Sequence, residues 1–547
     1  MRTEELKQIL IVSLMAIAVC APSLFWITMP GRDSSLYALL TIELSQGNFT
    51  RAFNADYAPM LTVLGGTINY FLDSPFRANQ IASILLFLPG IPGTYMLARE
   101  LRGPKIAFIA ALLYAVCPYT IEPATSGGLD AGKLGLMPWL AWATYKWCGS
   151  DGLRWGIAVG FIGGALSYAR GEGIIFVVLS LMIFMGLSVW KKLKRREASL
   201  KIPLVSLLAA ASVLTIVILP WIAYETSQTG YVVTHTSQIK LYELLDGLQR
   251  AIFSDANASS LDTDKKDSET PGYTRTEKHS EDIPWFKNIE KSLKGLYLPY
   301  LLLAFIGIFH QWRSDRTLVR NDFFPVIFIV LNFAIFFPTT VCNSRYFQPT
   351  IPLYLHLAAL GAVAVGTILG GYRVLTKARI KLLAFTALFI LAILAQKECE
   401  PFKSHEKLRE DRMLVKVGRW INENRESYPF YGTLPNLREY HNGRMPVILS
   451  ADYRICYYAG ADCVVTPRDI ELTPADIADF CRHNKIALIL YDSRIEEFCP
   501  GFGEYWPLEP SYRAVDLADD FPADKHTLRL LVFDESGKRV PVRGSGN

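Results

Sequence analysis

Apolar runs long enough to cross a membrane recur along Ile9–Gln396 and then stop. A helix spans a ~30 Å hydrocarbon core with about 20 apolar residues, and every backbone polar group in lipid must be bonded within the protein. Such runs therefore restrict the chain to a helical bundle in a bilayer. We read 11 spans: Ile9–Met29, Asn79–Ala98, Ile106–Ile121, Leu134–Trp147, Trp155–Ala169, Gly173–Trp190, Pro203–Tyr224, Gly295–Gln311, Phe324–Val341, Ile351–Gly370 and Leu382–Ala395. The first is longer than a signal-peptide core and lacks a small-residue cleavage site, so it reads as a retained anchor. With 51% hydrophobic and 20% charged residues, disorder and a small disulfide scaffold are excluded.

Loop charge orients the bundle. With Met1 inside, the inner segments and adjoining span ends hold 20 Lys and Arg, including the cluster at 191–196, against 6 in the short outer segments (Arg32, Arg51, Arg77, Lys133, Arg170 and Arg345). Cytoplasmic loops carry the excess, so the N-terminus is expected inside and the part after the last span outside. Because the basic residues are spread through loops and the net charge is only +5, the partner they imply is the bilayer, not nucleic acid.

We therefore expect a mainly α, polytopic module over 1–396 and a soluble α/β domain over 397–547. The module has a first outer loop, 30–78, with surface-lying helices at Ser34–Leu44 and Met60–Leu72, and a long outer loop, 225–294, ending in another near Trp285–Leu293. In the last domain we predict helices at Leu408–Asn424 and Pro474–His483. Strands are predicted at Pro446–Ser450, Asp462–Thr466, Ala487–Asp492, Tyr512–Asp516 and Leu528–Asp534. Five cysteines fall there (Cys399, Cys456, Cys463, Cys481 and Cys499), where disulfides are permitted. No paired His/Cys ligand spacing points to zinc.

The candidate site comes from ionisable residues at outer helix ends: Asp33, Asp130, the turn Arg170-Gly171-Glu172, and Arg345. Charge at a membrane boundary is costly and points to function by default. Each also has a structural reading: Asp33 and Asp130 can cap helices, Arg170 and Glu172 can neutralise one another, and Arg345 can meet headgroups.

At these residues the chain resembles the GT-C membrane glycosyltransferases, a group that includes the protein O-mannosyltransferases, the aminoarabinose lipid A transferases and bacterial lipopolysaccharide-sugar transferases of glycosyltransferase family 39. The resemblance lies in Gly31-Arg32-Asp33-Ser34-Ser35-Leu36-Tyr37, Tyr57-Ala58-Pro59-Met60, Thr94–Leu101, Arg170–Gly173 and Arg345-Tyr346 with Pro349 and Pro352. It implies a GT-C fold, a polyprenyl-phosphate sugar as donor, a glycan, lipid or protein acceptor, and Asp33 as catalytic base. Asp130 matches the second-loop acidic position. Ser34 stands where many relatives have a second acidic residue, which argues against metal coordination at that loop; a divalent cation is compatible with the reading without being required by it.

Sugar transfer from a lipid phosphate needs a base for the acceptor hydroxyl and cations for the departing phosphate, but no strong acid. Asp33 can be that base, and Arg170 and Arg345 can hold phosphate. Arg32, Tyr37, Lys133 and Tyr346 complete the substrate-binding set, with Asp130 and Glu172 orienting acceptor, base or arginine. One base without a second nucleophile implies inverting single displacement. The site would face the periplasm from a bacterial inner membrane. A lipid-linked-sugar translocator, an O-antigen ligase or polymerase, and a non-catalytic binding protein are the competing readings. A translocator should show repeated halves or broken mid-membrane helices carrying charge, and the sequence shows neither.

Overall fold

A computed structural model describes residues 3–53, 57–150, 152–195, 201–229, 285–314, 323–336, 344–371, 405–423, 445–450, 453–465, 488–491, 512–516 and 529–533, with isolated positions 475 and 477. The eleventh expected span, most of the long outer loop, nearly all of Pro474–His483, and Cys399, Cys481 and Cys499 lie outside the described residues. The chain divides into two compact units: Met1–Thr28, Leu40–Asp262 and Asp282–Phe402 form the first, and Met29–Leu39, Thr263–Glu281 and Lys403–Asn547 the second.

The first unit is helical. In order come α1 (Thr3–Cys20), α2 (Ser23–Trp26), α3 (Arg32–Ser45, which begins in the second unit), α4 (Phe49–Ala52), α5 (Met60–Leu72), α6 (Pro75–Phe87), α7 (Gly90–Arg102), α8 (Pro104–Val116), α9 (Pro118–Thr125), α10 (Asp130–Ser150), α11 (Leu153–Ala169), α12 (Gly173–Arg195) and α13 (Lys201–Thr229). Helices Trp285–Gly295, Leu298–Ser314, Phe323–Phe336 and Ile351–Gly371 follow. Proline opens α6, α8 and α9, where a missing N–H costs nothing. Gly103, at φ 80°, turns α7 into α8.

Among the described residues, five stretches are long and apolar enough to span a membrane: Thr3–Trp26, Pro75–Arg102, Gly173–Lys191, Pro203–Ser227 and Gln348–Thr367. Two further pairs are bent, Pro104–Val116 with Pro118–Thr125 by 51° and Asn288–Gly295 with Leu298–Arg313 by 74°. Among the described residues each of the first ten expected spans contains helix, while five stretches, or seven with each bent pair taken as one, are long and apolar enough to cross a membrane. One shortfall has a local reason. Helix α10 contains Pro138 and polar residues, yet it packs among α6, α7, α11 and α12, so protein replaces lipid around it.

Glycine sets the closest approaches. Gly156, Gly160 and Gly164, one helical turn apart, line the side of α11 that meets α13; a Cβ on Gly156 would lie 2.6 Å from the Ser206 carbonyl, and one on Gly160 or Gly164 would strike the Ala210 carbonyl or Val217. This is the small-residue packing that membrane helices use where apolar burial gives no advantage over lipid. Gly307 and Gly361 do the same for Leu298–Ser314 and Ile351–Gly371.

Ion pairs gather at the two ends of this bundle. At one end Arg99 meets Glu5 at 2.9 Å, Lys146 meets Glu100 at 3.3 Å, and Lys191 donates to the Cys148 carbonyl, joining α1, α7, α10 and α12. At the other end lie the start of α10, the α11–α12 turn and the turn before Ile351–Gly371.

The second unit contains a five-stranded sheet of β1 (Met445–Ser450), β2 (Ala461–Val465), β3 (Leu488–Tyr491), β4 (Tyr512–Asp516) and β5 (Arg529–Phe533) in the order β2-β1-β3-β5-β4. Strand β1 is parallel to β2 and β3, while β5 is antiparallel to β3 and β4. A helix at Tyr453–Ala459, absent from the sequence reading, makes the β1–β2 crossover that parallel strands require. It packs on His405–Glu423, where a Cβ on Gly418 would come within 2.7 Å of the Ile455 carbonyl. Cys456, on the crossover helix, is buried and disulfide-bonded.

Candidate functional site

The site begins with the turn between α9 and α10. Gly127 takes φ 72°, a conformation open to glycine, and returns the chain so that α10 starts at Asp130. Polar residues of α6 brace the turn: Gln80 Nε2 donates to the Thr125 carbonyl at 3.0 Å and Ser83 Oγ to that of Gly128 at 3.3 Å. Gln80 is itself held by Arg77, whose Nη1 donates to Gln80 Oε1 at 2.8 Å and to the Ile27 carbonyl at 2.7 Å. Sequence reading did not pick out Gln80 and Ser83; two polar residues three apart within an apolar span were the available signal.

Across from it, the short α11–α12 turn presents Arg170 and Glu172, both buried. Arg170 Nη1 lies 2.9 Å from Asp130 Oδ1, and Arg170 Nε donates to Glu172 Oε2 at 2.6 Å, so one guanidinium joins both carboxylates. Lys133, one turn into α10 and 1% exposed, approaches Asp130 Oδ1 at 3.0 Å and donates to the main-chain carbonyl of Arg345 at 3.2 Å. Arg345 sits in a 3₁₀ turn, Ser344–Tyr346, its guanidinium 5.7 Å from the centre of the Tyr346 ring. Asn332 Nδ2 donates to the Tyr346 carbonyl at 3.4 Å, and the Tyr346 side chain is buried.

The structure thus brings together Asp130, Lys133, Arg170, Glu172 and the Arg345 turn, from three separate stretches of chain. Two carboxylates and three cations leave a local formal charge of +1. Asp130 and Lys133 precede the apolar Leu134–Trp147 stretch. Burial pushes the Asp130 carboxyl upward, but Arg170, Lys133 and Arg345 together overcome it and hold the group below its ordinary range. For Lys133, burial outweighs the attraction of Asp130 and lowers the ammonium below its ordinary range.

Arg32, Asp33 and Tyr37 belong to the second unit. Asp33 is the second residue of α3 and its side chain is exposed, where a helix N-terminus favours a carboxylate. Ser34, Ser35 and Tyr37 are buried, and Ser35 Oγ donates to the Gly31 carbonyl at 2.9 Å. The Arg32 side chain lies outside the described residues. Among the described residues, no three His, Cys, Asp or Glu side chains gather closely enough to hold a metal ion.

Residues 30–222 match the dolichyl-phosphate-mannose-protein mannosyltransferase family, a stretch that contains Asp33, Asp130, Arg170 and Glu172. No curated protein sequence matches the chain. Among solved structures, ArnT from Cupriavidus metallidurans bound to undecaprenyl phosphate is similar at a TM-score of 0.57 and 14% identity, over 97% of this chain and 99% of that one. The Archaeoglobus fulgidus oligosaccharyltransferase AglB, in complex with an inhibitory peptide and a dolichol-phosphate, is similar at 0.53 and 13%, over 99% of this chain and 75% of that one. The apo form of the Archaeoglobus oligosaccharyltransferase gives 0.51 and 14%, over 93% and 73%. At such identities these likenesses speak to fold. The chain is a polytopic helical membrane protein of the GT-C fold, similar in sequence over residues 30–222 to the dolichyl-phosphate-mannose-protein mannosyltransferases.

Proposed function

We propose that the protein moves a sugar from a polyprenyl-phosphate donor to an acceptor hydroxyl at the outer face of a bacterial inner membrane, by inverting single displacement. The observation that carries this reading is the Asp130–Arg170–Glu172 arrangement with Lys133, a buried and nearly charge-balanced cluster beside the Arg345 turn at one end of the bundle. A net positive site at a membrane face suits a lipid phosphate, and fixed cations stabilise the charge that grows on the phosphate as the sugar leaves. Two of the similar structures hold a polyprenyl phosphate, undecaprenyl phosphate in ArnT and dolichol-phosphate in AglB, which supports this class of donor.

In this mechanism Asp33 takes the proton of the acceptor hydroxyl as that oxygen attacks the sugar carbon, and the lipid phosphate leaves as an anion. Its exposure at the start of α3 suits a base that must meet an incoming acceptor. Arg345 holds the phosphate. Arg170, already shared by two carboxylates, chiefly fixes Asp130 and Glu172, which orient the acceptor. The disulfide at Cys456 supports an extracytoplasmic position for the C-terminal region, since such bonds persist in oxidising compartments.

The test is transfer from a panel of radiolabelled polyprenyl-phosphate sugars to a membrane-extract acceptor pool, comparing wild type with Asp33→Asn. Loss of transfer with donor binding retained supports the mechanism. Equal transfer by both removes Asp33 as base, and donor binding without transfer by wild type favours a translocator or binding protein.

A further inference from the structure

The helix Trp285–Gly295 takes no part in the chemistry above, and its faces are arranged unusually. Polar Asn288 and Ser292 are buried against the bundle, while Ile289 and Leu293, one turn apart, are 43% and 41% exposed. A surface helix of a water-soluble protein turns its apolar stripe inward. Lys291 and Lys294 are exposed on another side, with Glu290 paired to Lys294, and Lys287 adds a third basic residue in sequence.

After this helix the chain bends 74° into the apolar Leu298–Arg313, and Asn288–Gly295 and Leu298–Arg313 are long and apolar enough to cross a membrane only when taken together. The bend is built. Tyr297 takes φ 55°, a strained conformation for a residue with a side chain, and its ring meets those of Tyr119 at 5.4 Å and Tyr300 at 4.8 Å. Tyr300 OH donates to the Leu113 carbonyl at 2.8 Å, and Tyr354 OH donates to the Leu296 carbonyl. The helix also packs against the Ser344–Tyr346 turn that carries Arg345.

We infer that this helix is a docking surface for anionic phospholipid. Ile289 and Leu293 enter the interfacial layer, and Lys291 and Lys294 engage the headgroup phosphates above it, as basic amphipathic helices do. Because the same helix packs on the Arg345 turn, lipid occupancy steadies that turn; this second part rests on the transfer reading, whereas the lipid contact does not.

The test uses full-length protein in vesicles of phosphatidylcholine, with and without phosphatidylglycerol. A nitroxide at Ile289→Cys should be more accessible to oxygen than to a water-soluble nickel complex, and should move deeper when phosphatidylglycerol is present. The Lys291→Gln/Lys294→Gln variant should lose that response, with vesicle lipid exchange at the helix weakened about fivefold per lysine. Equal nickel accessibility in both vesicles and in detergent overturns the lipid contact. In the transfer assay, phosphatidylglycerol should raise wild-type turnover and leave the double variant unchanged; equal turnover with and without it overturns the coupling to Arg345. An inserted label in a protein that transfers no sugar supports the lipid contact while removing the transfer reading.

Discussion

Lys133 Nζ reaches across 212 residues of sequence to donate to the main-chain carbonyl of Arg345 at 3.2 Å, while lying 3.0 Å from Asp130 Oδ1. One buried ammonium thereby sets the distance between the start of α10 and the arginine turn. Lys133→Met keeps the length and removes the charge. It leaves Asp130 short of a buried partner, and we expect a loss of about 3 kcal/mol, the lower end for a broken buried pair because Arg170 remains. Thermal unfolding in detergent measures this, and an unchanged midpoint would contradict the clamp.

Arg170 uses two different nitrogens for two different carboxylates. An ammonium cannot reproduce that fork. Arg170→Lys should therefore lower transfer by about 30-fold, the equivalent of one charged hydrogen bond of ~2 kcal/mol. Donor affinity should change little if the role is to fix Asp130 and Glu172, so a large rise in KM would reassign Arg170 to phosphate binding.

The pH dependence follows from Asp130. Its carboxyl is held below its ordinary range by Arg170, Lys133 and Arg345, despite burial. Such a group contributes stability above the unfolded value of about 3.9, and the contribution is lost as the pH falls through the lower folded value. Wild type should hold its unfolding midpoint to about pH 4 and lose it steeply below. Asp130→Asn should start lower at neutral pH and show a shallower acid limb; parallel curves would show that Asp130 does not couple to folding.

Gly160 and Gly361 test the packing. A side chain on Gly160 meets the Ala210 carbonyl, and one on Gly361 meets the Leu303 carbonyl. Since backbone cannot rotate away, Gly160→Leu and Gly361→Leu should each cost at least about 1–3 kcal/mol. Gly186→Leu is the control, with open space around its Cβ, and should unfold like wild type.

Much of this was legible because membrane helices announce themselves through length and apolarity. The surface helices at Met60–Leu72 and Trp285–Gly295 and the five strands could be read from their periodicities. Helix α10 read as only 14 residues because hydropathy measures compatibility with lipid, whereas its ends are polar and its surroundings are other helices. The crossover helix Tyr453–Ala459 was hidden because its Tyr-Arg-Ile-Cys-Tyr-Tyr sequence favours strand locally and is overruled by the sheet it serves. Charge at helix ends singled out Asp130, Arg170 and Glu172, which the fold brings together, but no sequence spacing could reveal that Lys133 bonds a carbonyl so far along the chain. The Glu5–Arg99 pair was equally invisible, since loop charge counting treats each basic residue alone.

Helix α10 is fastened at both ends: Asp130 and Lys133 secure one, and Lys146 with Glu100 and the Cys148 carbonyl with Lys191 secure the other. A rocking motion that opened first one side of the membrane and then the other would have to release charged contacts at each end in turn, and the core helix would be the part that tilts. The charges at its two ends act like the fittings of a stave, and a tilt of the helix is opposed at both of them at once.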